Sequence, residues 1–379
     1  MYDLVVVGGN LAGTAAALSA REKGASVALI EKRRSPHNPA HCGEGIDPIT
    51  AGYINVSNTS IHTNPINHMT ISVSPTTHYH LHFKHTGLII FDRYHLEKTL
   101  LDACKQQGVD LYIGHTMNDY SPPHTIRTRT GKELEGSIII DASGIHCAVG
   151  RTIGMKPKLK PSDIGVCIQS RIHADVDANT VKTWFHTPYA PFGYGWVFPI
   201  DETTANIGIG IPGGQHQNLP ALLDSYITHE FGDEYTIKTT FYACVPLASP
   251  LPSLIKDNVL ITGDAARLTN AFLGSGIANA LISGSLAGAI GSDYIQQKLS
   301  SFQLYQELLT PKIHRLQNVY HRRKKTLFTP SFYLVYKRGF HLLSLLNKLM
   351  PTIFNHKVKQ ALGKDIDLIK QYKKTPTLF

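Results

Sequence analysis

Leu4-Val5-Val6-Val7-Gly8-Gly9-Asn10-Leu11-Ala12-Gly13 decides the fold of this chain. The four apolar residues read as a buried parallel strand, and the glycines lead into an Ala-rich helix over about residues 13–23. Ser26 to Ile30 reads as a second strand, which closes on Glu31. Strand, Gly-rich turn, helix and strand in this order are the context that a dinucleotide fingerprint requires. In that motif the first Gly permits the tight turn and the third lets helix and strand pack closely. The helix N-terminus faces a pyrophosphate, and an acid about 20 positions on binds a ribose hydroxyl. Gly8, Gly13 and Glu31 occupy those positions, whereas Asn10 replaces the middle Gly. An ordinary strand–helix–strand unit would need neither both glycines nor a terminal acid at this spacing. Nucleotide binding is the expectation. Asn tolerates left-handed backbone better than most residues, so the turn is expected to survive, and Asn10→Gly is expected to keep or tighten binding.

The chain's 379 residues suffice for two domains, or for one large domain with a lobe. With 42% hydrophobic and 17% charged residues, a sizeable core is expected. The first strand begins at once without a basic leader, so no signal peptide is read. No run of about 18 apolar residues predicts a membrane span. Five widely spaced cysteines (Cys42, Cys104, Cys147, Cys167 and Cys244) and no C-x-x-C pair argue against a disulfide framework and against zinc or iron–sulfur sites. They fit a reducing cytoplasm. The net charge of +9 is unevenly spread. From Lys312 onward 15 Lys and Arg face two acids, Asp365 and Asp367, whereas the preceding 311 residues carry 22 basic and 26 acidic side chains. The basic tail is interleaved with Phe328, Phe332, Tyr333, Leu334, Phe340, Leu342 and Leu345. That is the pattern of a helix on an anionic membrane surface. It is equally the pattern of a helical subdomain docked by its apolar face, and both can hold. No recognition motif accompanies the charge, so nucleic acid is not an expected partner.

Further along, segments near 68–74 and 78–83 alternate like strands. Residues 91–107 read as a helix, with Leu96, Leu100, Leu101 and Cys104 at helical spacing. Residues 109–113 and 137–141 read as strands, and about 164–211 alternate as in an antiparallel sheet. A short buried strand at 258–261 precedes a small-residue helix over about 276–290. The implied architecture is α/β. A discontinuous nucleotide-binding domain (1–60, 88–155 and 251–310) accepts an inserted β-sheet substrate domain (61–87 and 156–250), and a basic amphipathic helical segment (311–379) ends the chain.

Gly263-Asp264-Ala265-Ala266-Arg267 and Gly274-Ser275-Gly276-Ile277 place an acid at a strand end and glycines at a helix start. Asp264 is suited to a ribityl hydroxyl, and the helix start at Gly276-Ile277 to negative charge on a reduced flavin. A strand turn capped by Asp is the plainer alternative. Three further stretches join these: Cys42-Gly43-Glu44-Gly45-Ile46, Phe91-Asp92-Arg93 and Asp141-Ala142-Ser143-Gly144. A fourth is Tyr194-Gly195-Trp196-Val197-Phe198-Pro199. With them, residues 1–290 resemble the geranylgeranyl reductase family of flavoproteins, within the wider hydroxylase-like flavin group. The resemblance implies a Rossmann-type FAD-binding domain and reduction of carbon–carbon double bonds in prenyl chains of membrane lipids or isoprenoid precursors. It also implies that FAD is held by residues matching Ala12, Gly13, Glu31, Cys42, Gly43, Gly45 and Arg93, and by Asp264, Gly276 and Ile277. Met117 matches a position near the adenine. Ala271 stands where the wider group usually has Pro, which is expected to loosen the loop before Gly274.

Tyr194, Trp196 and Phe198 alternate and so share one strand face. An aromatic face near a flavin suits an apolar chain, each buried CH₂ being worth about 0.8 kcal/mol. Packing within a sheet core is the alternative. Cys42 is the candidate proton donor to the alkene while reduced flavin delivers hydride; otherwise it only shapes the loop over the flavin. Gly208-Ile209-Gly210-Ile211-Pro212-Gly213 repeats the glycine pattern, but residues 215–220 follow where a helix should open. No second dinucleotide site is therefore read, and electrons are expected from a ferredoxin-like protein or from NAD(P)H in transient contact. His78, His80 and His82 alternate without a Cys or carboxylate partner and read as an exposed face, with no metal site. Two rival functions share these features: an FAD-dependent monooxygenase on an apolar or aromatic substrate, and a lipid-binding protein that has lost tight FAD. The Trp-x-Trp-x-Ile-Pro stretch of a flavin halogenase is absent. The expectation is a cytoplasmic protein, peripheral at the membrane surface.

Overall fold

The computed structural model describes residues 1–54, 61–155, 157–185, 188–329 and 331–350. The chain opens with β1 (Tyr2–Val7), α1 (Leu11–Glu22), β2 (Val27–Glu31), β3 (Gly45–Ile46) and α2 (Pro48–Tyr53). Then come β4 (Thr63–Ile66), β5 (His68–Ser74), β6 (Thr77–His82), β7 (Leu88–Phe91) and α3 (Arg93–Gln106). It continues through β8 (Asp110–Ile113), β9 (Met117–Ser121), β10 (Thr125–Thr128), β11 (Glu133–Asp141) and α4 (Ala148–Thr152). Next are β12 (Ile164–Ala174), β13 (Thr180–Trp184), β14 (Tyr194–Pro199), β15 (Thr204–Pro212) and α5 (Leu219–Phe231). The remainder is β16 (Tyr235–Pro246), β17 (Ile255–Lys256), β18 (Val259–Ile261), α6 (Ile277–Ile295), α7 (Gln303–Thr326) and α8 (Ser331–Leu349).

The first sheet has the order β17-β18-β11-β1-β2-β8, with the β9–β10 hairpin branching from β11. Its five strands from β18 to β8 are parallel. Such strands are covered on both faces and so read as unbroken apolar runs; Leu4, Val5 and Val6 are wholly buried. Small residues let α6 lie directly on α1. A Cβ on Gly284 would meet the Ala12 carbonyl at 2.1 Å, and one on Gly288 the Ala16 carbonyl at 1.9 Å.

The second sheet runs β16-β12-β15-β14-β13-β5-β6. It is antiparallel except where β13 pairs parallel with β5, from Thr180↔His68 to Trp184↔Ser72. Helix α5 covers one face, burying Leu223, Tyr226 and Ile227 among Ile168, Ile172, Val197 and Ile207. The sequence reading assigned no helix here, noting only that residues 215–220 follow the second glycine pattern where a helix should open; Pro220 lies in the first turn of α5. Pro is favoured in a first turn, and Asn218 caps the helix by accepting from Ala221 N.

Two expected boundaries fall elsewhere. Strand β4, assigned to the inserted sheet, pairs with β7 in a small third sheet, β3-β7-β4. The expected break at residue 310 lies inside α7. Helix α8 docks on β5 and β6, burying Phe332 among Ile71, Tyr79 and Leu81. Asn347 pairs with the backbone N and O of His82 at 2.9 and 2.7 Å. The tail thus packs on the body as far as residue 350; the expectation for residues 351–379 lies outside the described residues.

Candidate active site

A cleft of about 1580 Å³ is lined by residues of all three sheets and of α6, α7 and α8. It exceeds the roughly 300–1,000 Å³ of a pocket for one drug-sized ligand, which leaves room for a dinucleotide and a second molecule. The turn after β1 forms one wall. Gly8 has φ 110°, and a Cβ there would lie 2.3 Å from the Ala142 carbonyl oxygen. A Cβ on Gly13 would lie 1.7 Å from the Gly8 oxygen, so the first turn of α1 can pass this close to the β1 turn only with Gly. Gly13 therefore stands behind the wall, while Ala12 lines it.

Asn10 corrects the sequence reading. Its backbone is extended, with φ −90° and ψ −170°, and the side chain caps α1. Asn10 Oδ1 accepts from Leu11 N at 2.7 Å and from Arg93 Nη2 at 3.0 Å. The residue is a polar link to α3 rather than a tolerated substitute for Gly. Glu31, buried at the end of β2, accepts from Gly9 N at 2.7 Å and from Arg33 N and Nε at 2.9 and 3.0 Å. Met117 opens β9 in the same cleft.

Asp264 and the start of α6 line the cleft as well. Asp264 Oδ1 accepts from Thr269 Oγ1 at 3.0 Å. Burial pushes its carboxyl up from the ordinary range, against the opposing pull of Thr269 and Arg93. Helix α6 has 19 residues and Gly276 at its start, with no side-chain cap. Its first N–H groups and its dipole are thus left to the cleft lined by Gly276 and Ile277. An acid at a ribose position, two helix starts and a polar cap on one cleft fit FAD. Ala271 does not loosen the neighbouring loop: Asn270 Oδ1 accepts from Phe272 N and Leu273 N at 2.9 and 3.1 Å, and its carbonyl accepts from Gly274 N.

Cys42 sits between the cradle and the second sheet. Its Sγ accepts from Arg93 Nη1 at 3.1 Å and from Glu44 N at 3.2 Å. Arg93 also donates Nε to Glu97 at 2.9 Å. Burial disfavours its charge, but the Cys42 sulfur and Glu97 outweigh that and hold its pKa above the ordinary value. Glu44 is buried, and its Oε2 accepts from Arg171 Nη2 and, at 2.7 Å, from Asn206 Nδ2. Burial raises its pKa, with Arg171 and Asn206 opposing.

Tyr194, Trp196 and Phe198 form a wall, with ring centroids 5.6 and 6.4 Å apart. The Phe198 ring lies against the Cys42 loop, where a Cβ on Gly43 or Gly45 would meet it at 3.0 or 3.3 Å. Those two glycines thus seat an aromatic ring while lining the cleft. Trp196 Nε1 donates to Gln169 Oε1 at 2.9 Å, and Gln169 Nε2 donates to the Cys42 carbonyl at 2.9 Å. Phe185 stacks on Tyr194 at 5.1 Å. Phe332 and Phe340 of α8 extend the wall. The second glycine pattern serves this packing: a Cβ on Gly208 in β15 would lie 2.4 Å from the Trp196 ring.

Of the expected site residues, all but Gly13 line this one cleft. Sequence reasoning missed Gln169, Arg171, Asn206 and the part played by Glu44. Only Glu44 carried a local signal, a charge between two glycines. His78, His80 and His82 bond across to β5, at Ser72, Thr70 and His68, and are exposed.

Comparison with known proteins agrees with this geometry. Residues 3–156 match the FAD dependent oxidoreductase family, and residues 163–243 the geranylgeranyl reductase catalytic domain. Digeranylgeranylglycerophospholipid reductase 1 of Methanococcoides burtonii is 30% identical over 321 residues, spanning 81% of this chain and 78% of that protein. The reductase 1 of Methanopyrus kandleri is 29% identical over 320 residues, spanning 78% and 82%. Among solved structures, a geranylgeranyl bacteriochlorophyll reductase-like protein from Thermoplasma acidophilum superposes with a TM-score of 0.80 at 24% identity, covering 98% of each chain. The p-nitrophenol 4-monooxygenase of Pseudomonas putida gives 0.74 at 14% identity, covering 97% of this chain and 98% of the other. Both share the fold. An FAD cradle and an aromatic wall meet at Cys42, and the sequence relationship runs through both halves of the cleft; this chain belongs to the geranylgeranyl reductase family of FAD-dependent oxidoreductases.

Proposed function

We propose that this chain saturates carbon–carbon double bonds in geranylgeranyl or other prenyl chains of membrane lipids or isoprenoid precursors. One observation carries the reading: a single cleft runs from Glu31 and Asp264 to the Tyr194–Trp196–Phe198 wall, with Cys42 between them. Ala12, Gly13 and Glu31 would hold the adenosine diphosphate half of FAD, with Met117 near the adenine. Cys42, Gly43, Gly45, Arg93, Asp264, Gly276 and Ile277 would hold the rest. Bound and reduced by two electrons, FAD supplies the hydride. The Cys42 thiol holds the proton for the other alkene carbon. Two donors on its sulfur, Arg93 Nη1 and Glu44 N, support the charge left when the proton leaves. The wall rings bind the apolar chain and exclude water. The electron donor is a ferredoxin-like protein or NAD(P)H, since the second glycine pattern lies in strand β15 rather than at a helix start.

Helix α8 supports work at a membrane surface. At about 100° per residue, Leu334, Leu342, Leu345 and Leu349 fall within about 80° of one another, opposite the docked Phe332 and Phe340. All four leucines are exposed, as are Lys337, Arg338 and Lys348 on and beside that face. An apolar stripe flanked by cations suits an anionic bilayer, and Leu343 of the same helix lines the cleft. No described helix is long and apolar enough to cross a membrane. Lipid mass spectrometry of cells with and without the protein tests the function. More saturated prenyl chains are expected with it, and an unchanged lipid profile in producing cells would contradict the reading.

A further inference from the structure

Glu44 is 1% exposed, and its backbone has φ 68°, a region that a residue with a Cβ enters at a cost. It lines the reaction cleft on one side and a second cavity of about 190 Å³ on the other, and among the described residues it is the one common to both linings. The second cavity is walled by His62, Asp92, Arg171 and Asp201, with Ile90, Phe91 and Ile200. His62 at its edge is exposed. Water takes roughly 30 Å³ a molecule and settles where polar partners are present, so this space suits a short aqueous chain.

On the cleft side Glu44 and Cys42 share Arg93. The guanidinium donates to Cys42 Sγ, while Arg93 N donates to Glu44 Oε1 at 3.3 Å. The charged and titratable groups facing Glu44 are Arg171 from β12, Arg93 and Asp92 at the start of α3, and Cys42 in its own loop. His62 before β4 and Asp201 after β14 edge the second cavity, and neutral Asn206 comes from β15.

We propose that Glu44 is the proton relay that restores the Cys42 thiol from the second cavity between successive double-bond reductions. The inference rests on the reading of Cys42 as proton donor. The step balances. The Cys42 S–H breaks as a C–H forms on the alkene, leaving a thiolate. The Glu44 O–H then breaks as the S–H re-forms, and the carboxylate takes a proton from water in the second cavity. Each double bond thus consumes one solvent proton, beside the hydride. A cleft filled by a prenyl chain excludes water from Cys42, which is why the proton must come from behind. Burial shifts the Glu44 carboxyl towards its protonated form, against Arg171, Asn206 and Arg93 N. Glu44 acts through Cys42 and is a positioning residue for the proton.

The test uses FAD-loaded protein under anaerobic conditions, excess dithionite and a digeranylgeranylglycerophospholipid in detergent, followed by mass spectrometry across pH. Flavin absorbance and iodoacetamide alkylation of Cys42 report the integrity of the site. Glu44→Gln is expected to keep FAD and Cys42 alkylation and to reduce the first double bond, for which the thiol already holds its proton. Later ones should slow by about a hundred-fold, the low end of the usual range for a lost acid or base, with KM within about two-fold. Glu44→Asp should recover part of that loss, and Glu44→Ala should be rescued by formate in proportion to its concentration. Wild-type rates for all double bonds in Glu44→Gln would overturn the proposal. So would Glu44→Ala that formate does not rescue, or Glu44 variants that lose FAD and Cys42 alkylation together. An unimpaired Cys42→Ser protein would remove the donor on which the relay rests. Wild-type protein that leaves the lipid unreduced would overturn the functional reading itself.

Discussion

Asn10 shows how one residue changes meaning between sequence and structure. As a replaced glycine it reads as a tolerated defect. In the fold its Oδ1 caps α1 and anchors Arg93, which in turn holds Cys42. The partner lies 83 positions away in sequence, so no local pattern could reveal it. Asn10→Gly keeps a permissible helix start, since Gly at an N-cap costs only a few tenths of a kcal/mol. It removes a bond to a charged group, worth about 1.5 kcal/mol at the low end. FAD titration should therefore show binding weakened by about ten-fold, and unchanged or tighter binding would contradict the link. Glu44 gives a pH test. Its raised folded pKa means that the folded protein keeps a proton that the unfolded chain releases near pH 4.3. Its contribution to stability is complete below about that pH and is lost as pH rises through the folded value. In Glu44→Gln the denaturation midpoint should fall less steeply with rising pH over that window than in wild type. Parallel curves would contradict the shift.

At the scale of elements, what was legible followed from local periodicity and what was hidden depended on distant partners. The β1–α1–β2 unit was readable because an apolar run, two glycines and Glu31 lie within 31 residues. The aromatic wall was readable because alternation in β14 fixes a common face. Helix α5 was not, because the apolar residues that it covers, Ile168, Ile172 and Val197, come from strands well upstream, and its cap at Asn218 shows only in the fold. The support beneath Cys42 was not, because Gln169, Arg171 and Asn206 come from strands over 120 residues downstream. Helix α8 was half legible: its apolar residues signalled a face, but periodicity could not show that it carries two. Phe332→Ala empties the docked face and should cost about 3–5 kcal/mol of local stability. Hydrogen exchange should rise in α8 and along β6 while the first sheet stays protected; unchanged exchange in α8 would contradict the docking. Leu342→Asp with Leu345→Asp alters only the outer face. Binding to phosphatidylglycerol vesicles should fall at least ten-fold with the melting temperature unchanged, and retained binding would place the membrane contact elsewhere.

For the whole molecule, the three sheets matter because they meet at one cleft. The parallel sheet supplies the dinucleotide cradle, the small sheet carries the end of the Cys42 loop in β3, and the second sheet supplies the wall. The monooxygenase rival shares this fold, so architecture alone does not separate them; the chemistry at the wall does. The deciding measurement is an anaerobic mixing experiment with dithionite-reduced, FAD-loaded protein and one equivalent of a geranylgeranyl phospholipid. Flavin absorbance and lipid mass are recorded together. Flavin should reoxidise without oxygen while the lipid gains two hydrogens per flavin oxidised. Flavin that stays reduced until air is admitted, with the lipid's double bonds intact, would contradict the assignment.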